Sequence, residues 1–131
     1  VQQRTRYTLG RNERLKSRKQ IEFLFSKGQS FHSSPFKVYY SAVPVTDKRR
    51  QMQFAVGVGT RYFKHAVDRN RIKRLIREAY RLQKHELQQM MERDELQLTM
   101  FFIFTGKAAP DFKITKEKMK AALDKLIAGL Q

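Results

Sequence analysis

Residues 98–105, Leu-Thr-Met-Phe-Phe-Ile-Phe-Thr, constrain the fold most, because they form a nearly unbroken apolar run of strand length. The run is far too short for a bilayer span, which needs about 20 residues as a helix. It reads as a strand buried on both faces. Two other segments alternate instead. Phe36, Val38 and Tyr40 point one way while Lys37, Tyr39 and Ser41 point the other. Across residues 51–59, Met52, Phe54, Val56 and Val58 repeat the pattern beyond a basic turn at 44–50. The two segments are expected to pair antiparallel, with one solvated face.

Helical signals surround these strands. Ser17 with Gln20 three residues later resembles a capping box. Ile21, Leu24 and Phe25 follow at helical spacing and Gly28 supplies a stop, so a short helix is predicted over 18–27. A long helix is predicted from 67 to about 91, ending in a charged loop at 92–95. Thr115 is the expected cap of a last helix whose Met119, Ala122, Leu123, Leu126, Ile127 and Leu130 form one stripe. The order helix, strands, helix, strand, helix predicts an α+β protein, a two-layer sandwich with helices packed on a sheet. The whole chain, 1–131, reads as a single domain, with residues 1–16 a flexible basic arm.

Composition narrows the function classes. The chain has 131 residues, 28 Lys plus Arg against 12 Asp plus Glu, a formal charge of +16 and no Cys. That length buries enough surface to fold without disulfides or metal. The lack of Cys excludes thiol nucleophiles, Cys-ligated zinc and iron–sulfur clusters. The polar, basic start carries no apolar stretch of secretory type. A soluble cytoplasmic protein with a polyanionic partner is the expectation, and no membrane partner.

The charge is concentrated. Residues 61–85 hold nine basic groups and two acids. At about 100° per residue, Ile72, Leu75, Ile76, Ala79 and Leu82 share a stripe, with Arg69, Lys73, Arg77, Arg81 and Lys84 roughly opposite. A solvated face with alternating salt bridges would place Glu at i and i+4 from each base, yet only Asp68 and Glu78 are available. The predominance of Arg suits bidentate phosphate contacts and stacking on bases. Asn70 could read a base edge or ribose hydroxyl, or cap the helix locally. A basic helix alone does not distinguish RNA from DNA.

The open face of the strand pair is a second candidate. There Lys37 and Tyr39 combine a cation with a ring, which suits single-stranded nucleic acid, and Phe25 could line the same groove. The alternative is that Tyr39 is half-buried sheet surface and Phe25 is core.

Other patterns carry no chemistry. Gly57-Val58-Gly59-Thr60-Arg61-Tyr62 begins like a dinucleotide-binding loop but lacks the third Gly and the later acid. His85-Glu86-Leu87-Gln88-Gln89 lacks the second His of a zinc protease helix, and His32, His65 and His85 share no ligand spacing. Glu92, Asp94 and Glu95 read as a solvated loop rather than a hard-cation site. No catalytic or metal-binding residue is assigned to the chain.

The stretch from Lys64 through Val67-Asp68-Arg69-Asn70-Arg71-Ile72-Lys73-Arg74-Leu75-Ile76-Arg77-Glu78-Ala79-Tyr80 to Arg81 closely resembles the signature of the bacterial ribonuclease P protein subunit. The resemblance extends to Arg14-Leu15, to Phe23-Leu24-Phe25 with Gly28, to residues 36–39 and to the turn at 105–111. It implies an α/β sandwich like the second domain of the fifth small-subunit ribosomal protein, with three strands after the first helix and an unusual left-handed βαβ crossover. It also implies partners: a large catalytic RNA and precursor tRNA, whose 5′ leader the holoenzyme removes, with Mg²⁺ held mainly by RNA and substrate. No DNA partner is expected.

The resemblance implies contacts with the catalytic RNA at Arg69, Asn70, Arg71, Lys73, Arg74 and Arg77, with Arg14, Arg61 and Arg81 as further RNA-binding candidates. It places the leader between the first helix and the sheet, at Ile21, Phe25, Lys37 and Tyr39, with Arg69 and Asn70 at the edge. Two positions depart from the family pattern. Ile21 stands where an aromatic residue is usual, and Thr60-Arg61-Tyr62 keeps one base of a usual pair. The competing classes are a structural or regulatory RNA-binding protein, such as a ribosomal component, and a stand-alone nuclease.

Overall fold

The computed structural model describes residues 10–131, apart from the side chain of Arg11. Eight main elements follow in order: α1 (Arg18–Lys27), β1 (Gln29–Ser33), β2 (Phe36–Pro44), β3 (Met52–Val58), α2 (Ala66–Gln83), α3 (His85–Asp94), β4 (Leu96–Phe104) and α4 (Phe112–Leu130). The strands form one sheet in the order β1-β2-β4-β3. β2 pairs antiparallel with β1 and β4, while β3 runs parallel to β4. A parallel neighbour requires a crossover, and α2 with α3 supplies it.

Strand alternation sorts the side chains onto two unlike faces. One carries Phe36, Val38, Tyr40, Met52, Phe54, Val56, Leu98, Met100, Phe102 and Phe104, all buried beneath α2, α3 and α4. Each large apolar side chain so buried contributes about 1.5–3 kcal/mol. The other face carries Lys37, Tyr39, Phe101 and Ile103, only partly covered, with α1 lying across β2 and β4. Leu24 is the α1 residue that is buried there.

Several expectations change. β2 and β3 are not partners, because β4 lies between them, and the strand missing from the residue-level pattern is β1. Its sequence, QSFHS, is polar at an edge and is half-buried or buried only at Phe31 and Ser33. β4 is fully buried on one face and half-covered on the other, alternating from Leu98 onward.

The long helix divides at Lys84, whose ψ of −11° opens the turn while its side chain runs inward. Residues 92–94 finish α3 instead of forming a loop, and Glu95 closes it in a left-handed conformation, φ 53°. Gln51 Nε2 donates to the Met91 and Leu96 carbonyls at this junction. Asp111, not Thr115, caps α4, accepting from the Ile114 amide at 2.8 Å. Ser17 does cap α1. Gly28 ends that helix for steric reasons, since a Cβ would lie 2.6 Å from the Leu24 carbonyl oxygen.

The basic arm falls partly outside the described residues, which begin at 10. Residues 10–15 do not stand free. Arg11–Glu13 form a 3-10 turn, Arg14 bridges Phe54, the Leu15 amide donates to the Phe54 carbonyl at 3.0 Å, and Leu15 is buried.

Candidate nucleic-acid interface

The half-covered sheet face gathers the aromatic candidates. Tyr39 and Phe101 face each other across β2 and β4, with Lys37 opposite Ile103 two residues along. Phe25, from the last turn of α1, meets both rings edge-on. Its centroid lies 4.8 Å from Tyr39 at 84° and 5.1 Å from Phe101 at 63°. Lys37 Nζ stands 5.2 Å from the Tyr39 centroid. Phe25 keeps 44% of its surface exposed, so it is neither core nor fully solvated. Ile21, one turn earlier, is half-buried.

Phe101 is the member of this group that the sequence reading did not single out. The apolar run hid it, since a strand expected to be buried on both faces offers no reason to single out one ring. Gly57 makes room for it: a Cβ there would lie 2.9 Å from Phe101 Cε1.

The cationic candidates divide by their place on α2. Ile72, Ile76, Ala79 and Tyr80 are buried. Including Tyr80 turns the apolar stripe away from the expected one and centres the exposed face on Arg74. Asn70, Arg71, Arg74 and Arg77 are exposed there. Arg69 lies only about 60° around the helix from Ile72, at ~100° per residue. Its Nη1 donates to the Phe63 and Lys64 carbonyls, both at 2.8 Å, bracing the β3–α2 loop. Lys73 is half-buried.

Arg81 is engaged by Glu78 through two contacts, Nε to Oε2 at 2.9 Å and Nη2 to Oε1. That hydrogen-bonded pairing holds the Glu78 carboxyl below its usual range and raises the Arg81 guanidinium. Lys84, expected on the cationic face, is instead buried against the Glu13 carboxylate. Arg61 lies in the β3–α2 loop, its guanidinium carbon 5.3 Å from the Tyr62 centroid, and Lys107 Nζ is 5.8 Å from the same ring.

Partial burial, and then the charge of Arg14, pull the Arg77 guanidinium below its ordinary pKa. Among the described residues no three His, Asp or Glu side chains gather as metal ligands, and no helix is long and apolar enough to cross a membrane.

Fold and site define a small basic α+β protein with three helices on one sheet face and an aromatic, cationic patch on the other. The family model for ribonuclease P matches residues 9–128. The chain belongs to the family of the protein component of ribonuclease P, an endoribonuclease of tRNA processing.

Relatives agree. The ribonuclease P protein component of Porphyromonas gingivalis is 34% identical over 123 residues, covering 94% of this chain and 88% of the relative. That of Chlorobium phaeobacteroides is 30% identical, covering 86% and 83%. The solved ribonuclease P protein of Staphylococcus aureus superposes with a TM-score of 0.62 at 20% identity, over 87% of this chain and 94% of that one. The Thermotoga maritima ribonuclease P protein, solved with 1-(4-fluorophenyl)-2-thiourea, gives 0.56 at 22% identity, over 84% and 96%. These two likenesses show the shared fold.

Proposed function

We propose that this chain is the protein subunit of a ribonuclease P holoenzyme, binding the catalytic RNA on the exposed face of α2 and the 5′ leader of precursor tRNA over Phe25, Tyr39 and Phe101. The observation that carries the reading is the pairing of two unlike surfaces. A guanidinium-rich helix face suits a folded RNA's phosphates, which are bound mainly through charge. Partly exposed rings beside one lysine suit a single strand, whose bases stack without regard to sequence.

The chain assists rather than carries the cleavage. Its residues do not fit a resident Mg²⁺, because no cluster of carboxylates is available among the described residues. The ion is assigned to the RNA and substrate.

Combining the purified protein with its cognate catalytic RNA and Mg²⁺ tests the reading. The expected result is faster removal of the leader and tighter binding of precursor tRNA than with the RNA alone, while the protein alone leaves precursor tRNA and unstructured messenger RNA intact. Cleavage by RNA-free protein overturns the division of labour. Tight RNA binding with no effect on processing favours a structural or regulatory RNA-binding protein.

A further inference from the structure

We propose that Arg14 and Arg77 together form one phosphate-binding site for RNA, and that the ion pair between half-buried Glu13 and buried Lys84 is the positioning device that holds Arg14 there. The inference rests on the RNA-binding reading above and adds to it a shared site and a latch.

The latch is built from residues distant in sequence. The Glu13 carboxylate pairs with Lys84 Nζ, and Lys84 is only 1% exposed. A charge so placed needs its partner, because an uncompensated buried ammonium is strongly destabilising. The contact therefore ties the 3-10 turn at Arg11–Glu13 to the junction of α2 and α3. Gln53 adds a tether by donating from Nε2 to the Asn12 carbonyl at 3.5 Å, and Leu15 is pinned to Phe54. Arg14 sits between these anchors, bridged to Phe54 on the outer edge of β3.

The same anchors set its distance from α2. Phe54 stacks flat on Tyr80, with centroids 4.0 Å apart and planes at 2°. Arg77 lies one turn before Tyr80 on that helix, so the Phe54–Tyr80 stack joins the strand residue paired with Arg14 to the helical turn next to Arg77. Partial burial, and then the charge of Arg14, disfavour the protonated form of Arg77, in keeping with that placement. Neither has an ion-pair partner among the described residues. Two like charges held together without an acid are an unfavourable arrangement that an anion relieves. Arg74, exposed one turn away, continues the cationic surface and favours a polymer's phosphate over a lone ion.

The test is binding of the cognate catalytic RNA across a salt series. Arg14→Ala and Arg77→Ala should each weaken binding about tenfold or more, as for loss of a charge-assisted hydrogen bond. Because they share a phosphate, the double variant should flatten the log–log salt slope little beyond either single variant, by about 0.7–0.9 in all. Glu13→Gln should reproduce the Arg14→Ala loss and add nothing to it in combination. Reversing the pair, Glu13→Lys with Lys84→Glu, should restore affinity.

Hydrogen exchange separates release of the latch from unfolding: in Glu13→Gln the Leu15 amide should lose protection while α4 amides keep theirs. Wild-type affinity and slope in a Glu13→Gln protein with an exposed Leu15 amide overturn the proposal, as do fully additive losses from Arg14 and Arg77. Arg74→Ala serves as the separate control. If it weakens binding while the latch variants do not, the proposal fails and the RNA-binding reading of α2 stands; if none of the variants does, that reading fails as well.

Discussion

The Phe25 ring stands edge-on to Tyr39, 4.8 Å between centroids, so a helix and a strand share one aromatic surface. Tyr39→Ala should therefore weaken precursor tRNA binding by about 1–3 kcal/mol, the worth of a stacked base. Phe25→Ala should act in the same direction, and Tyr39→Phe, which keeps the ring, should retain affinity. Titration of the reconstituted holoenzyme with leader-bearing and leaderless tRNA is the measurement. Equal losses for both tRNAs would assign the rings to packing alone.

Arg74 and Arg81 offer a contrast on one helix. Arg74 is exposed, whereas Arg81 is held by Glu78. Arg74→Ala should lower affinity for the catalytic RNA and flatten the salt slope by about one unit, while Arg81→Ala should do so less. Glu78→Gln should strengthen binding, because it removes a negative charge from the same face.

Gly57→Ala should disturb the leader surface from beneath, through the Phe101 ring. The new Cβ would press on the far edge of the Phe101 ring, 2.9 Å from Cε1 and 3.2 Å from Cζ. That edge can swing, so the stability cost should stay near the low end of the usual ~1–3 kcal/mol for overpacking. Phe101 also contacts Phe25, so its movement should reduce affinity for leader-bearing tRNA more than for mature tRNA. A thermal melt together with the two-substrate titration checks both parts.

Local patterns carried the fold as far as local physics reaches. Alternation at residues 36–40 and the stripe from Met119 to Leu126 reported burial correctly, because each side chain's face follows from its own periodicity. Strand neighbours do not follow from periodicity, so the insertion of β4 between β2 and β3 was not legible. Phe25, Lys37 and Tyr39 were identifiable as a cation and rings beside core positions. The fates of Arg69, Arg81 and Lys84 were not, since each depends on a partner: loop carbonyls, Glu78, and Glu13 71 residues away. A helical wheel counts all three as cations on α2, although Lys84 is interior.

Tyr80 gives a prediction in which stability and pH can be read together. Its ring is buried against Phe54, yet its hydroxyl has no hydrogen-bond partner among the described residues. Leaving such a group buried and unsatisfied costs about 1–3 kcal/mol, whereas removing it and keeping the ring's shape is neutral or favourable. Tyr80→Phe should therefore fold as well as the parent or better by denaturant titration. Burial, and then the Glu13 charge, raise the pKa of this hydroxyl above its ordinary 10.0. The unfolded chain thus releases that proton first as pH rises, and the parent should lose stability above about pH 10. In Tyr80→Phe this contribution to the alkaline slope should vanish. A variant that is destabilised by more than about 1 kcal/mol and keeps the parent's slope would mean that the hydroxyl is satisfied in solution and titrates normally.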